Sequence, residues 1–150
     1  PAAIGQGISA LIGNSNSSNQ DIKLCETLLQ AVGDTVVLES ESQMDAVTAV
    51  SGSGPAYVFH LIEALAAAGV DQGLSAQLAM KLAKKTVAGA GALAFHSEES
   101  PEQLRVNVTS PGGTTQAALE ILMDVETGFP KVLLEGVKAA ANRSKELGKA

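Results

Sequence analysis

Tryptophan is absent, cysteine occurs once, and aromatic residues make up only 3% of the 150 residues. A lone Cys25 leaves no internal disulfide to form, and a reducing, cytoplasmic setting follows. Its place beside Ile22, Leu28 and Leu29 at helical spacing marks it as a core residue rather than a nucleophile. With so few rings, the core has to be filled by Leu, Val and Ile between closely approaching backbones. Basic residues are also scarce, 10 against 16 acidic, for a net charge of -6. Nothing longer than Lys84-Lys85 clusters, which excludes nucleic acid as a partner. The longest apolar stretch, Val58 to Val70, is too short to span a membrane and contains His60 and Glu63. No charged and then apolar leader opens the chain, so neither export nor membrane insertion is expected. His60 and His96 lack metal-ligand spacing, and no metal is expected.

What is present suits a compact domain, with 45% hydrophobic and 17% charged residues. Gly7 to Ile12 reads as a short strand, followed by a polar loop, Asn14 to Asn19. Ser18 and Asp21 form an N-cap pair, and the helix they open runs to Gly33. Thr35 to Leu38 is β-branched and apolar, a second strand. Strand, helix, strand in so short a span is the closing unit of an α/β sheet.

From Ser40 onward the pattern is helical, which places a domain boundary there, 1–39 against 40–150. Ser40 and Gln43 form a capping box, and Met44, Val47 and Val50 give the first helix an apolar face. Ser51-Gly52-Ser53-Gly54-Pro55 interrupts it. The next helix is expected to bury Val58, Leu61, Ile62 and Leu65 and to stop at Gly69. A further helix, capped by Ser75, carries Leu74, Leu78 and Leu82, then Gly89 and Gly91. Each glycine costs about 1 kcal/mol in a helix interior, so a tight helix crossing is expected at these two. The face of Gly136, Ala139 and Ala140 invites the same close packing, within the chain or between subunits. Ser100-Pro101-Glu102-Gln103 combines a capping box with a first-turn proline and opens a helix to about Val108. Thr114 to Val125 and Pro130 to Leu147 are the last two helices.

The segment that can carry chemistry is Val108-Thr109-Ser110-Pro111-Gly112-Gly113-Thr114-Thr115. A Gly-Gly turn at a helix start offers the N–H groups of Gly113, Thr114 and Thr115 at the positive end of the dipole, a carboxylate site. Hydroxyls on Ser110, Thr114 and Thr115 add donors. The plain alternative is a turn that only caps its helix.

Asp45-Ala46-Val47-Thr48-Ala49-Val50-Ser51-Gly52-Ser53-Gly54-Pro55-Ala56-Tyr57, followed by that segment, resembles the two signature stretches of the pyrroline-5-carboxylate reductases. The resemblance runs from Pro1 through Arg143-Ser144-Lys145-Glu146-Leu147. It implies a mainly α fold, in which a multi-helix dimerisation domain follows a small strand-helix-strand remnant of a Rossmann-type α/β domain. It also implies reduction of 1-pyrroline-5-carboxylate to L-proline with NADPH or NADH, in a homodimer that leaves open a larger ring of dimers. By the same resemblance Thr114 and Thr115 hold the substrate, with Thr115 also at the imine nitrogen and hence catalytic. Ser110, Gly112 and Gly113 complete the substrate turn, Glu41 lies near the substrate ring, and Asn107 lies near the cofactor.

No G-x-G-x-x-G follows a strand here, so the dinucleotide fingerprint is missing, and this chain alone is expected to be inactive. Its opening on Pro1 reads as a fragment, a processed product or an expressed segment. A second reading is a helical homodimerisation module with no catalysis of its own. A third, a hydroxyacid-dehydrogenase helical domain, is disfavoured because Lys81, Lys84 and Lys85 form a solvated face rather than a catalytic lysine.

Overall fold

The computed structural model describes residues 1–149; Ala150, the last position of the helical region, lies outside them. The architecture is mainly α, with a two-stranded parallel sheet near its start. The strands are β1 (Gly7–Leu11) and β2 (Gly33–Val37). The helices are α1 (Asn19–Leu29), α2 (Met44–Val47), α3 (Gly54–Asp71), α4 (Ala76–His96), α5 (Pro101–Asn107), α6 (Thr114–Leu122) and α7 (Phe129–Leu147). Two compact units form: residues 1–55 with 136–150, and residues 56–135.

In the first unit the strands pair in parallel, Gly7 opposite Gly33 through Leu11 opposite Val37. Parallel pairing needs a crossover, and α1 supplies it. Ser18 Oγ accepts the Asp21 N–H at 3.2 Å, and Asp21 Oδ2 accepts the Ser18 N–H at 2.8 Å. The hydroxyl and N–H of Ser18 hold the Asp21 carboxyl below its ordinary value of 3.8. A depressed pKa contributes stability above the unfolded value, and that stability is lost as pH falls through the folded one. Acidification below about pH 4 is therefore expected to speed amide exchange in the first turn of α1 before the α4 amides respond, and simultaneous loss would remove this assignment.

Cys25 is exposed, contrary to its expected place in the core, as are Leu24 and Leu28 at 59% and 65%. Of the apolar side chains of α1, Ile22 and Leu29 are half-buried, because two strands spaced about 4.8 Å apart are narrower than a helix of about 10 Å.

Gln43 Oε1 closes the next start by accepting the N–H groups of Glu39 and Ser40 at 3.0 and 3.2 Å. The chain breaks at Ser53, inside the expected Ser51–Pro55 interruption, before α3 opens at Gly54. Ahead of that break it widens into a π-helical turn, Thr48–Gly52, with the Ser53 N–H on the Thr48 carbonyl at 2.8 Å. Pro55 lacks an N–H and would crowd the Ser51 carbonyl in a regular helix, and the wider turn relieves that clash. Ser51 Oγ donates to the Val47 carbonyl at 2.9 Å and supports it. The buried residue of this stretch is Ala49, whereas Val50, expected on the apolar face, is 61% exposed. Ser144 in the final helix donates to Asp45 Oδ1 at 2.6 Å, tying α7 to α2.

In the second unit the buried core is Ala66, Ala79 and Ala83, with Ile62 and Met80 packed against it. Val58, Leu61 and Leu65, expected inside, each stay exposed. The close helix crossing lies at Gly69, where an added Cβ would come 3.2 Å from the Ala79 Cβ. At Gly89, Gly91 and Gly136 an added Cβ would meet nothing within 4 Å among the described residues. Nor does Gly69 end α3, which continues to Asp71. Gly73, at φ +93, accepts the left-handed turn, and the Leu74 N–H returns to the Gly69 carbonyl at 3.1 Å.

Ser75 caps α4 through the Leu78 N–H at 3.3 Å. Ser100 caps α5 through the Gln103 N–H at 3.2 Å, but the box stays half made because Gln103 Nε2 turns to Asn107. Helix α6 ends at Leu122 rather than Val125: Asp124 Oδ1 gathers the N–H groups of Glu126 and Thr127 and the Thr127 hydroxyl, at 2.8–2.9 Å, and bends the chain. No helix among the described residues is long and apolar enough to cross a membrane.

Candidate functional site

Pro111 sets the backbone for a turn, and Gly112, at φ +69, takes a conformation that side chains disfavour. The Gly113 N–H closes that turn on the Ser110 carbonyl at 3.0 Å. It is therefore not among the free donors, contrary to the expectation for that amide. Gly113 is the N-cap of α6 and is itself constrained, because an added Cβ would strike Ser110 Oγ. The free donors begin one residue later. The N–H groups of Thr114, Thr115 and Gln116 open the helix with no acceptor among the described residues. Thr115 is half-buried, whereas Ser110, Gly112 and Thr114 are exposed.

A residue that the sequence reading passed over completes the turn. Gln116 Oε1 accepts the Gly112 N–H at 2.7 Å, and Gln116 Nε2 donates to Glu120 Oε1 at 3.3 Å. Its signal was available, since a glutamine at the third helical position reaches back over its own N-terminus. Gln116 and Glu120, with Arg105, Thr109, Leu119 and Met123, line a shallow hollow of about 330 Å³.

Asn107 ends α5 within the same unit, its amide held at both ends: Oδ1 accepts from Gln103 at 2.7 Å and Nδ2 donates to Glu99 at 2.9 Å. One amide N–H is left over. Glu41 stands exposed at the first position of the 3-10 turn Glu41–Gln43, in the first unit. His60 pairs with Glu63 at 3.0 Å. No group of three or more metal-ligating side chains occurs among the described residues.

The crossover turn between β1 and α1 does not fit a dinucleotide. After the single Gly13 it holds only Asn and Ser, and the Asp21 carboxylate already occupies the helix start where a pyrophosphate would bind.

A relative from Synechocystis sp., named pyrroline-5-carboxylate reductase, is 46% identical over 149 residues, covering 99% of this chain and 55% of its own. A pyrroline-5-carboxylate reductase structure from Coxiella burnetii superposes with a TM-score of 0.90 at 38% identity, over 97% of this chain and 53% of that one. A Plasmodium falciparum pyrroline carboxylate reductase structure with NADP bound gives 0.84 at 35% identity, over 99% of this chain and 58% of that one. The chain spans about half the length of the curated relatives it matches. The family model for pyrroline-5-carboxylate reductase dimerisation matches residues 41–147, from the capped turn at Glu41 to the end of α7, and the chain belongs to that family.

Proposed function

We propose that this chain is the substrate-binding and subunit-pairing portion of a pyrroline-5-carboxylate reductase, which reduces 1-pyrroline-5-carboxylate to L-proline with NADPH or NADH in proline biosynthesis. The observation that carries the reading is the start of α6, where three unpartnered N–H groups follow a closed Ser110–Gly113 turn. A carboxylate is the ligand that such a helix start favours. The substrate's acid group sits on the Thr114 and Thr115 amides, with Ser110, Gly112 and Gly113 shaping the wall. The Thr115 hydroxyl, donor and acceptor at once, holds the ring nitrogen before and after reduction.

The cyclic imine is electrophilic once protonated, so positioning and electrostatics suffice and no strong protein acid is required. A nicotinamide supplies the hydride when bound, and the main dinucleotide contacts belong to sequence outside this chain. Within it, Asn107 keeps one amide N–H for that role, and Glu41 is assigned beside the ring; both assignments rest on the resemblance. Residues 1–39 close the nucleotide domain in this reading, and 40–150 form the helical one. Pairing of two subunits is supported by apolar side chains that the chain leaves uncovered, Phe59 at 61% and Phe95 at 74% among them. A cytoplasmic location agrees with the single cysteine.

Titrating L-proline into the complete gene product is expected to shift the Thr114 and Thr115 amide resonances at millimolar ligand, with Thr115→Ala weakening the response. Unmoved amides would leave a helical homodimerisation module with no catalytic part of its own.

A further inference from the structure

The Ser110–Gly113 turn has proline second and a positive-φ glycine third, the form called type II. Its common alternative, type I, differs by reversal of one peptide, here Pro111–Gly112. Glycine at the third position tolerates both forms. The choice is made by Gln116, whose Oε1 receives the Gly112 N–H at 2.7 Å. A glutamine amide could equally present its NH2 group to the turn, and Glu120 prevents that. A carboxylate only accepts hydrogen bonds, so Glu120 claims Nε2, at 3.3 Å, and leaves Oε1 facing the turn. The i,i+4 spacing on α6 puts the two side chains on one face.

We propose that Gln116 and Glu120 are positioning residues that hold this turn in its acid-receiving form. The inference rests on the reading that Thr114 and Thr115 receive the substrate acid. Reversal of the peptide would bring the Pro111 carbonyl oxygen to the side where the Gly112 N–H now stands, beside the first turn of α6. A second acceptor there repels the carboxylate that the Thr114 and Thr115 amides attract. Glu120 thus acts on the substrate through Gln116 and does not touch it.

The test uses the complete gene product, with L-proline and 1-pyrroline-5-carboxylate as probes. Gln116→Leu removes the acceptor, and Glu120→Lys places a donor against Gln116 and turns its amide around. Each is expected to raise KM about two- to tenfold, the size of one hydrogen bond, with kcat little changed. Amide exchange at Gly112 is expected to quicken by a similar factor. The double variant Gln116→Glu with Glu120→Gln keeps an acceptor on the turn and is expected to restore slow exchange. Unchanged KM and unchanged exchange in both single variants, in an enzyme that binds L-proline, overturn the proposal. Failure of the unaltered enzyme to bind L-proline overturns the carboxylate reading, and the proposal with it.

Discussion

Alanine at Thr115 is expected to lower kcat about ten- to a hundredfold while helix content stays level. The factor follows from the loss of one hydrogen bond to a charged group, worth about 1.5–3 kcal/mol. Stability should not fall alongside it. The Thr115 side chain has no hydrogen-bond partner among the described residues, so its removal leaves no buried group unsatisfied. Alanine is also the better helix former by a few tenths of a kcal/mol. Steady-state kinetics on the complete gene product, read beside far-UV circular dichroism, separates the two effects. Equal turnover would refute the placing of this hydroxyl at the reacting nitrogen. A parallel loss of helix signal would make Thr115 a structural residue instead.

Gly33→Ala is expected to destabilise the chain by about 3 kcal/mol, through a strained backbone and overpacking together. Gly33 sits at φ +145, and its Cβ would enter the backbone of Gly7, its register partner across the sheet. Neither strand can retreat without breaking the parallel ladder that α1 closes. Chemical denaturation would show the midpoint falling with its slope preserved. Gly7→Ala should cost less, because the nearest atom to an added Cβ there is the Val32 carbonyl oxygen at 2.9 Å. A Gly33→Ala variant as stable as the parent would mean that the two strands separate easily in solution.

Caps were the most legible features, since each depends on residues within four positions. Ser18 with Asp21, Ser40 with Gln43, Ser75 and Ser100 all mark helix starts where hydroxyl spacing placed them. The strand-helix-strand opening was equally readable, from short apolar and β-branched runs on either side of a helical pattern. Helix ends were less so. Asp71 rather than Gly69 closes α3, because the left-handed position is taken by Gly73, and a glycine does not announce which of its conformations it will adopt. The π-helical turn at Thr48–Gly52 was invisible for a similar reason: the Ser-Gly-Ser-Gly-Pro run is compatible with a break or a widening.

Burial was least legible. Periodicity identifies an apolar face but not what covers it, so Cys25, Leu61 and Leu65 fell on interior faces that the described residues do not bury. In the candidate site, a Gly-Gly turn between two helix patterns located the Gly-Gly-Thr-Thr helix start, and the family resemblance gave it a ligand. The closure of Gly113 on Ser110 and the Gln116–Glu120 pair also lie within four positions, so their signal was local and was passed over. Sequence by itself thus determined where helices and strands begin and which turn could meet an acid, because capping and periodicity are local interactions. Tertiary structure decided which glycines bring helices together and which apolar side chains stay uncovered, because these depend on atoms that chain order does not place side by side.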